Sequence, residues 1–312
     1  MNKIKTAVIG VGSLGQHHAR ILSQHENSDL IGVVDASEER GKQIASSCKT
    51  VNFTKPEDII NKVQAVVIAV PTPYHYDVAK KFLNAGVHCL IEKPITLQVE
   101  HADELIQIAK DKKLVLQVGQ IERFNPAFTA TKPYIKEPKF IEAVRIGPYD
   151  SRMSHIGVVL DLMIHDLDVI LTIVKSKVIS IEAYGEKVFS QYEDRAKARL
   201  RFENGCIADI SISRASFDKC RKMTVFQDNG FISLDYGTKA VNIYSKKSDV
   251  KELKTMTDIE TITPEVGTKE PLFYELDHFL SCIKDNKTPM ITGENGRDAL
   301  KLAHEILKNI KY

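Results

Sequence analysis

The feature that most constrains this chain is a glycine-rich turn set between a strand and a helix. Ile4–Ile9 is a short, continuous apolar run, and Gly10-Val11-Gly12-Ser13-Leu14-Gly15 follows it directly. A helical stretch, Gln16–Gln24, comes next. Each glycine has a task in that order. Gly10 permits a tight turn, Gly12 lets backbone approach a pyrophosphate, and Gly15 allows close packing of helix on strand. The helix start offers unpaired N–H groups and the positive end of its dipole to phosphate. Asp35 ends the second apolar run, where a carboxylate accepts hydrogen bonds from ribose hydroxyls. Strand, glycines, helix and acid together predict a dinucleotide site at Gly10, Val11, Gly12, Ser13, Leu14, Gly15 and Asp35. Asp35 repels a 2′-phosphate, so NAD is expected and NADP less so. Arg40, nearby in sequence, would soften that preference if it faced the site; a solvated position is expected for it.

The rest of the first 120 residues repeats the βα alternation. Apolar runs recur at Leu30–Val34, Ala65–Val70, Cys89–Ile91 and Leu114–Val118, with a weaker one at Thr50–Phe53. Continuous rather than alternating runs suit strands buried on both faces of a parallel sheet. Thr54-Lys55-Pro56-Glu57 reads as a capping box, and Gly86 as a helix C-terminal cap. After about Gly119 the pattern alternates. Ala196, Ala198, Leu200 and Phe202 share one face, and Arg195, Lys197, Arg199 and Arg201 the other. Asn204-Gly205 and Asn229-Gly230 mark turns, and Pro271–Asp285 and Gly293–Ile310 read as helices. The expected fold is α/β: an N-terminal Rossmann parallel sheet over 1–120, then a C-terminal α+β domain over 121–312 with a large, mostly antiparallel open sheet. The last helix is free to pack back on the first domain.

Composition excludes several classes. A length of 312 residues suits two domains, and a net charge of +2 gives no basic surface for nucleic acid. The five cysteines (Cys48, Cys89, Cys206, Cys220 and Cys282) form no CxxC pair, which fits reduced thiols better than disulfides or zinc. The most apolar segment, Ala65–Pro71, is too short to span a bilayer, and the N-terminal run does not read as a signal peptide. A cytoplasmic protein with no membrane partner is expected.

Open α/β sheets bind ligands beyond the carboxyl ends of their strands. Those ends carry Gly10–Gly12, Asp35, Pro71-Thr72-Pro73, Glu92-Lys93-Pro94 and Gly119-Gln120. Lys93 is thus a candidate to hydrogen-bond a substrate oxygen and stabilise oxyanion charge; a loop lysine in water is the alternative. A second cluster, Asp161, His165 and Asp168, falls on one side of an apolar segment, Ile156–Val174, that reads as a buried helix, with Asp166 pointing elsewhere. An imidazole suits proton transfer near neutral pH, and Asp161 would orient its ring. A structural polar network is the competing reading. A metal site is the weakest, because no third ligand is evident.

Gly10–Gly15, Glu92-Lys93-Pro94 and the Asp161/His165 pair, in this order, resemble the glucose–fructose oxidoreductase/inositol dehydrogenase (Gfo/Idh/MocA) family over essentially the whole chain. The resemblance implies an NAD(P)-dependent dehydrogenase acting on CH–OH groups, with Lys93, Asp161 and His165 catalytic. It implies cofactor contacts from Thr72, Pro73, His75 and Glu92, no metal, and a second domain whose open sheet forms homodimers or homotetramers. The stretches Gly119–Ala127 and Gly157–Asp168 look like the branch acting on nucleotide-linked amino sugars, notably UDP-N-acetylglucosamine 3-dehydrogenases. Arg123, Asn125, Tyr149 and Arg152 are then candidate substrate contacts, with domain packing as the alternative. The remaining alternatives are an inositol or aldose dehydrogenase of the same family and a non-catalytic NAD-sensing regulator.

Overall fold

The computed structural model describes residues 3–151 and 156–311. The chain forms two compact bodies. The first comprises residues 1–120 together with Glu270–Leu300, and the second Ile121–Lys269 with residues 301–312.

The first body is built on a six-stranded parallel sheet. Its strands are β1 (Ile4–Ile9), β2 (Ser28–Val34), β3 (Val51–Phe53), β4 (Ala65–Ile68), β5 (His88–Glu92) and β6 (Leu116–Gly119), in the order β3-β2-β1-β4-β5-β6. β4 and β6 are buried along their whole length, as strands covered on both faces must be. Helices α1 (Gly15–Gln24), α2 (Glu38–Cys48), α3 (His75–Asn84) and α4 (Val99–Asp111) make the crossovers. The strand order reverses between β1 and β4, and such switch points open a crevice at the carboxyl edge. Helix α7 (Pro271–Asp285) adds Leu276, Phe279 and Leu280 to the core that holds Val8, Leu22, Val33 and Leu90. That packing is why this late segment belongs with the first body, although the sequence alone groups it with the second domain.

Local punctuation follows the sequence with one exception. Gly86 takes φ +80° just past α3, as a C-terminal cap should. Thr54–Glu57 forms no capping box. Pro56 takes the first position of a 3₁₀ turn, Pro56–Asp58, so the N-cap falls on Lys55, whose side chain has no acceptor.

The second body is built on a nine-stranded sheet. Its strands are β7 (Phe140–Ile146), β8 (Val178–Glu186), β9 (Arg195–Phe202), β10 (Ile207–Ser213), β11 (Cys220–Gln227), β12 (Gly230–Asp235), β13 (Val241–Lys246), β14 (Ile259–Ile262) and β15 (Ile310–Lys311). They run β14-β13-β12-β11-β7-β10-β9-β8-β15, antiparallel except at β7–β10 and β8–β15. The strict alternation of β9 fixes which face is covered. Ala196, Ala198, Leu200 and Phe202 join a core with Met163, Leu167 and Ile170, while the basic side chains are exposed. Those charges are partly balanced, since Arg199 grips Asp209 with bonds of 2.7 and 2.6 Å.

The apolar segment expected as one helix from Ile156 begins instead at Val159 with a π-helical turn, Val159–Met163, and continues as α6 (Ile164–Val174). A π turn holds more residues per turn, so the uniform 100° spacing used to group Asp161 with His165 does not hold through it. Asp166, read from the sequence as pointing elsewhere, meets Arg145. It is 1% exposed and bonded inside the body.

Candidate active site

The glycine turn meets the demands made of it. At Gly10, with φ +85°, an added Cβ would lie 2.7 Å from Val70 N. At Gly15 it would lie 1.8 Å from Gly10 O, so the close approach of helix to strand depends on the missing side chain. At Gly12 it would meet nothing within 4 Å, which leaves the open approach a pyrophosphate needs. Among the described residues no side chain caps α1 and no acid sits in its first turn, so no side chain there offsets its dipole. Leu14 at the N-cap is half exposed.

Asp35 is tied to the turn. Val11 N–H donates to its Oδ2 and Ser37 N–H to its Oδ1, each at 2.9 Å. Each carboxylate oxygen retains a lone pair for a hydroxyl. Arg40 is not the solvated residue expected. Its Nε donates to Val11 O at 3.0 Å, and its other nitrogens donate to Gln16 and Gln43, so it braces the outer wall of the turn.

At the same carboxyl edge, Thr72 and Pro73 form a 3₁₀ turn after β4, with Thr72 half-buried and Pro73 exposed. His75 is buried and places Nδ1 2.9 Å from Pro94 O and Nε2 2.8 Å from Val70 O. Burial holds its imidazole below the usual range, against those backbone bonds. The ring bridges the β4 exit and the turn after β5; both partners are carbonyls, so the neutral ring donates to one of them at a time. Lys93 is half-buried, and its peptide bond to Pro94 is cis. Glu92, beside it, is 8% exposed and accepts a 2.6 Å bond from His18 Nε2–H. Burial opposes the charge of Glu92, yet the His18 bond and the nearby His18, Lys93 and His75 hold its carboxyl below the usual range.

In the second body, Asp161 is buried within the π turn and His165 is half-buried at the start of α6. The entry to this helix is clamped. Val159 N–H donates to Glu193 Oε1 at 3.1 Å, Val158 N–H to Glu193 O at 3.0 Å, and Arg214 to Ile156 O at 2.7 Å. A Cβ on Gly157 would lie 2.0 Å from Glu193 Oε1, so a larger residue there would displace the Glu193 carboxylate.

Behind the helix runs a buried ionic network. Arg145 donates to both oxygens of Asp166, at 2.8 and 3.1 Å, and to Glu122 at 2.8 Å. Burial disfavours the Arg145 charge, but the two carboxylates outweigh it and raise its pKa. Arg123 lies 3.6 Å from Asp168, whose carboxyl burial pushes up to about 7 against that arginine.

The proposed substrate contacts fall unequally. Arg123 is 8% exposed. Asn125 spends its side chain on Ala127 N–H, Glu122 and Tyr236 O. Tyr149 is half-buried under the Arg214 guanidinium, 5.5 Å away, and stands edge-on to Phe189. Arg152 lies outside the described residues. The sequence reading missed His18, Glu122, Arg145, Glu193 and Glu275. Two of them left a signal. Arg145 occupies the inward phase of β7 with Ile141 and Ala143, and Glu275 sits in the apolar stripe of α7 beside Leu276 and Phe279.

Known proteins share this architecture. Residues 4–120 match the oxidoreductase family with an NAD-binding Rossmann fold (GFO/IDH/MocA), and residues 138–233 match the GFO/IDH/MocA C-terminal domain. The chain belongs to the Gfo/Idh/MocA family. As a Gfo/Idh/MocA member it is an oxidoreductase with an NAD-binding Rossmann domain. It is 32% identical to a UDP-N-acetylglucosamine 3-dehydrogenase of Acidithiobacillus ferrooxidans, over 98% of this chain and 97% of that one. The solved structure of that enzyme superposes with a TM-score of 0.92, covering 99% of this chain and 98% of that chain. The scyllo-inositol 2-dehydrogenase (NAD(+)) of Bacillus subtilis is 26% identical over 93% of this chain and 89% of its own length. Among the described residues, no helix of this Gfo/Idh/MocA protein is long and apolar enough to cross a membrane.

Proposed function

We propose that this chain oxidises the C3 hydroxyl of UDP-N-acetylglucosamine to a ketone with NAD as the acceptor. The observation that carries the substrate is the end-to-end 32% identity with the Acidithiobacillus ferrooxidans 3-dehydrogenase; the inositol dehydrogenase is less similar. The open space at Gly12, the uncapped start of α1 and the two tethered oxygens of Asp35 fit a dinucleotide. Asp35 supports NAD over NADP, and Arg40 spends three of its five N–H groups on Val11, Gln16 and Gln43. Bound there, NAD supplies the hydride acceptor.

The chain's own groups do the rest. Lys93 donates a hydrogen bond to the substrate oxygen and stabilises its developing charge. His165 takes the hydroxyl proton, and Asp161 orients its ring. Thr72, Pro73 and Glu92 line the cofactor edge. Arg123, Tyr149 and Arg152 remain candidates for the diphosphate and sugar, whereas the Asn125 side chain is committed to packing. The open face of the nine-stranded sheet, with Ile179 and Tyr184 exposed on β8, suits pairing of two or four copies, which light scattering on the purified protein would test.

The catalytic test is direct. With NAD present, UDP-N-acetylglucosamine gives a rising NADH absorbance, while inositols and free aldoses give little. Turnover of an inositol with none of the nucleotide sugar would overturn the substrate, and binding of NADH with turnover of neither would favour a sensor.

A further inference from the structure

The first body buries two carboxyl groups around one imidazole. His18 on α1 and Glu275 on α7 are 0% exposed, and Glu92 at the end of β5 is 8% exposed. One ligand-capable atom from each lies within 4.8 Å of the other two. His18 is committed to Glu92 through Nε2, whereas neither Glu275 oxygen has a hydrogen-bond donor. Gln117 Nε2–H reaches only the backbone carbonyl of Glu275, at 3.1 Å.

A carboxylate placed this way, beside a second one, is relieved by a proton or by a cation. The geometry favours the proton. Only three ligands converge among the described residues, and one of them is already spent in a 2.6 Å hydrogen bond. A structural cation asks for about four, at roughly 2.0–2.2 Å each. A proton asks for a single acceptor, and one oxygen of Glu92 lies within 4.8 Å of one of Glu275.

We propose that Glu275 is a neutral carboxylic acid that donates its O–H to the Glu92 carboxylate, a positioning residue that, with His18, fixes Glu92 beneath the Lys93 turn. Burial and the negative charge of Glu92 both push the Glu275 carboxyl well above the usual range. The groups facing this pair are His18 from α1, His75 from α3 and Lys93 from the β5 edge. β6 contributes the uncharged Gln117. Arg20 and His25 of α1 are paired instead with Glu270 and Asp277. The proposal rests on the reading above only in placing Glu92 and Lys93 at the cofactor edge.

The test compares denaturant unfolding of the wild type and Glu275→Gln from pH 5 to 9. The folded wild type keeps a proton that its unfolded chain releases above the ordinary carboxyl range. Its folding constant therefore falls relative to the Gln variant by up to about tenfold per pH unit, until the folded pKa is passed. NADH fluorescence titration supplies the second arm. Glu275→Gln binds NADH within about twofold of wild type, and Glu275→Leu binds it about threefold to tenfold more weakly, the worth of one hydrogen bond. Parallel stability curves, or NADH binding by the Leu variant equal to wild type, would overturn the proposal. So would a stoichiometric divalent metal in the purified protein whose chelation lowers the melting temperature. If the Leu variant does not fold, the pH slope of the Gln variant decides. Neither arm needs sugar turnover, so failure of the substrate assignment leaves this result readable.

Discussion

Gly12 and Gly15 stand three residues apart and make opposite demands on a side chain. An alanine at Gly15 drives its methyl into Gly10 O, so Gly15→Ala should lose about 1–3 kcal/mol or more of stability and NAD affinity with it. An alanine at Gly12 meets no protein atom, so Gly12→Ala should melt like wild type and bind NADH poorly. Calorimetry and fluorescence titration separate the two. Lys93→Ala and His165→Ala should each slow turnover by about 10²-fold or more while NADH affinity stays near wild type. Full rates in both would remove them from the chemistry. Asp168 makes a pH-dependent prediction. Its folded pKa, about 7, lies above the unfolded value, so on its account stability is greatest at acid pH and falls as pH rises from about 4 to 7. Asp168→Asn should flatten that decline, by at most ~1.4 kcal/mol per pH unit, in unfolding curves at pH 5 and 7.

Among the elements, the helix bearing Asp161 and His165 is the one whose form depends most on distant residues. Glu193 reaches its first turn from 34 positions away in sequence. Glu193→Ala should leave the Val159 N–H without its acceptor, costing about 1–3 kcal/mol, and lower kcat more than it changes NADH affinity. Glu193→Gln, which keeps an acceptor oxygen, should recover most of both. The same dependence explains what the sequence made legible. The Rossmann strands were readable because a sheet covered on both faces writes itself as uninterrupted apolar runs, and β9 because a half-covered strand alternates. The π turn was not, because Gly157–Ile164 is apolar almost throughout and the clamp that seats it lies elsewhere in the chain. The glycine turn, Asp35 and Lys93 could be proposed from the sequence because their placement at strand ends is local. His18, Glu193 and Glu275 act only through partners brought together by folding. Arg145 is intermediate, since a guanidinium in the inward phase of β7 already implied a buried acid.

For the molecule as a whole, ligand binding and stability are linked. NADH at about one hundred times its dissociation constant should raise unfolding free energy by about 2.7 kcal/mol, visible as a rise in melting temperature that Gly12→Ala largely loses. The first body draws its core from two stretches of chain, since Leu276, Phe279 and Leu280 of α7 complete the cluster begun by β1, β2 and α1. A fragment ending at residue 120 would carry every glycine and acid of the nucleotide site and still expose an unfilled apolar face, so it should aggregate or melt early in circular dichroism. On the ribosome the same arrangement imposes a waiting period: the nascent nucleotide-binding half emerges first, yet it has nothing to close over until translation has passed through all but the last strand of the second sheet.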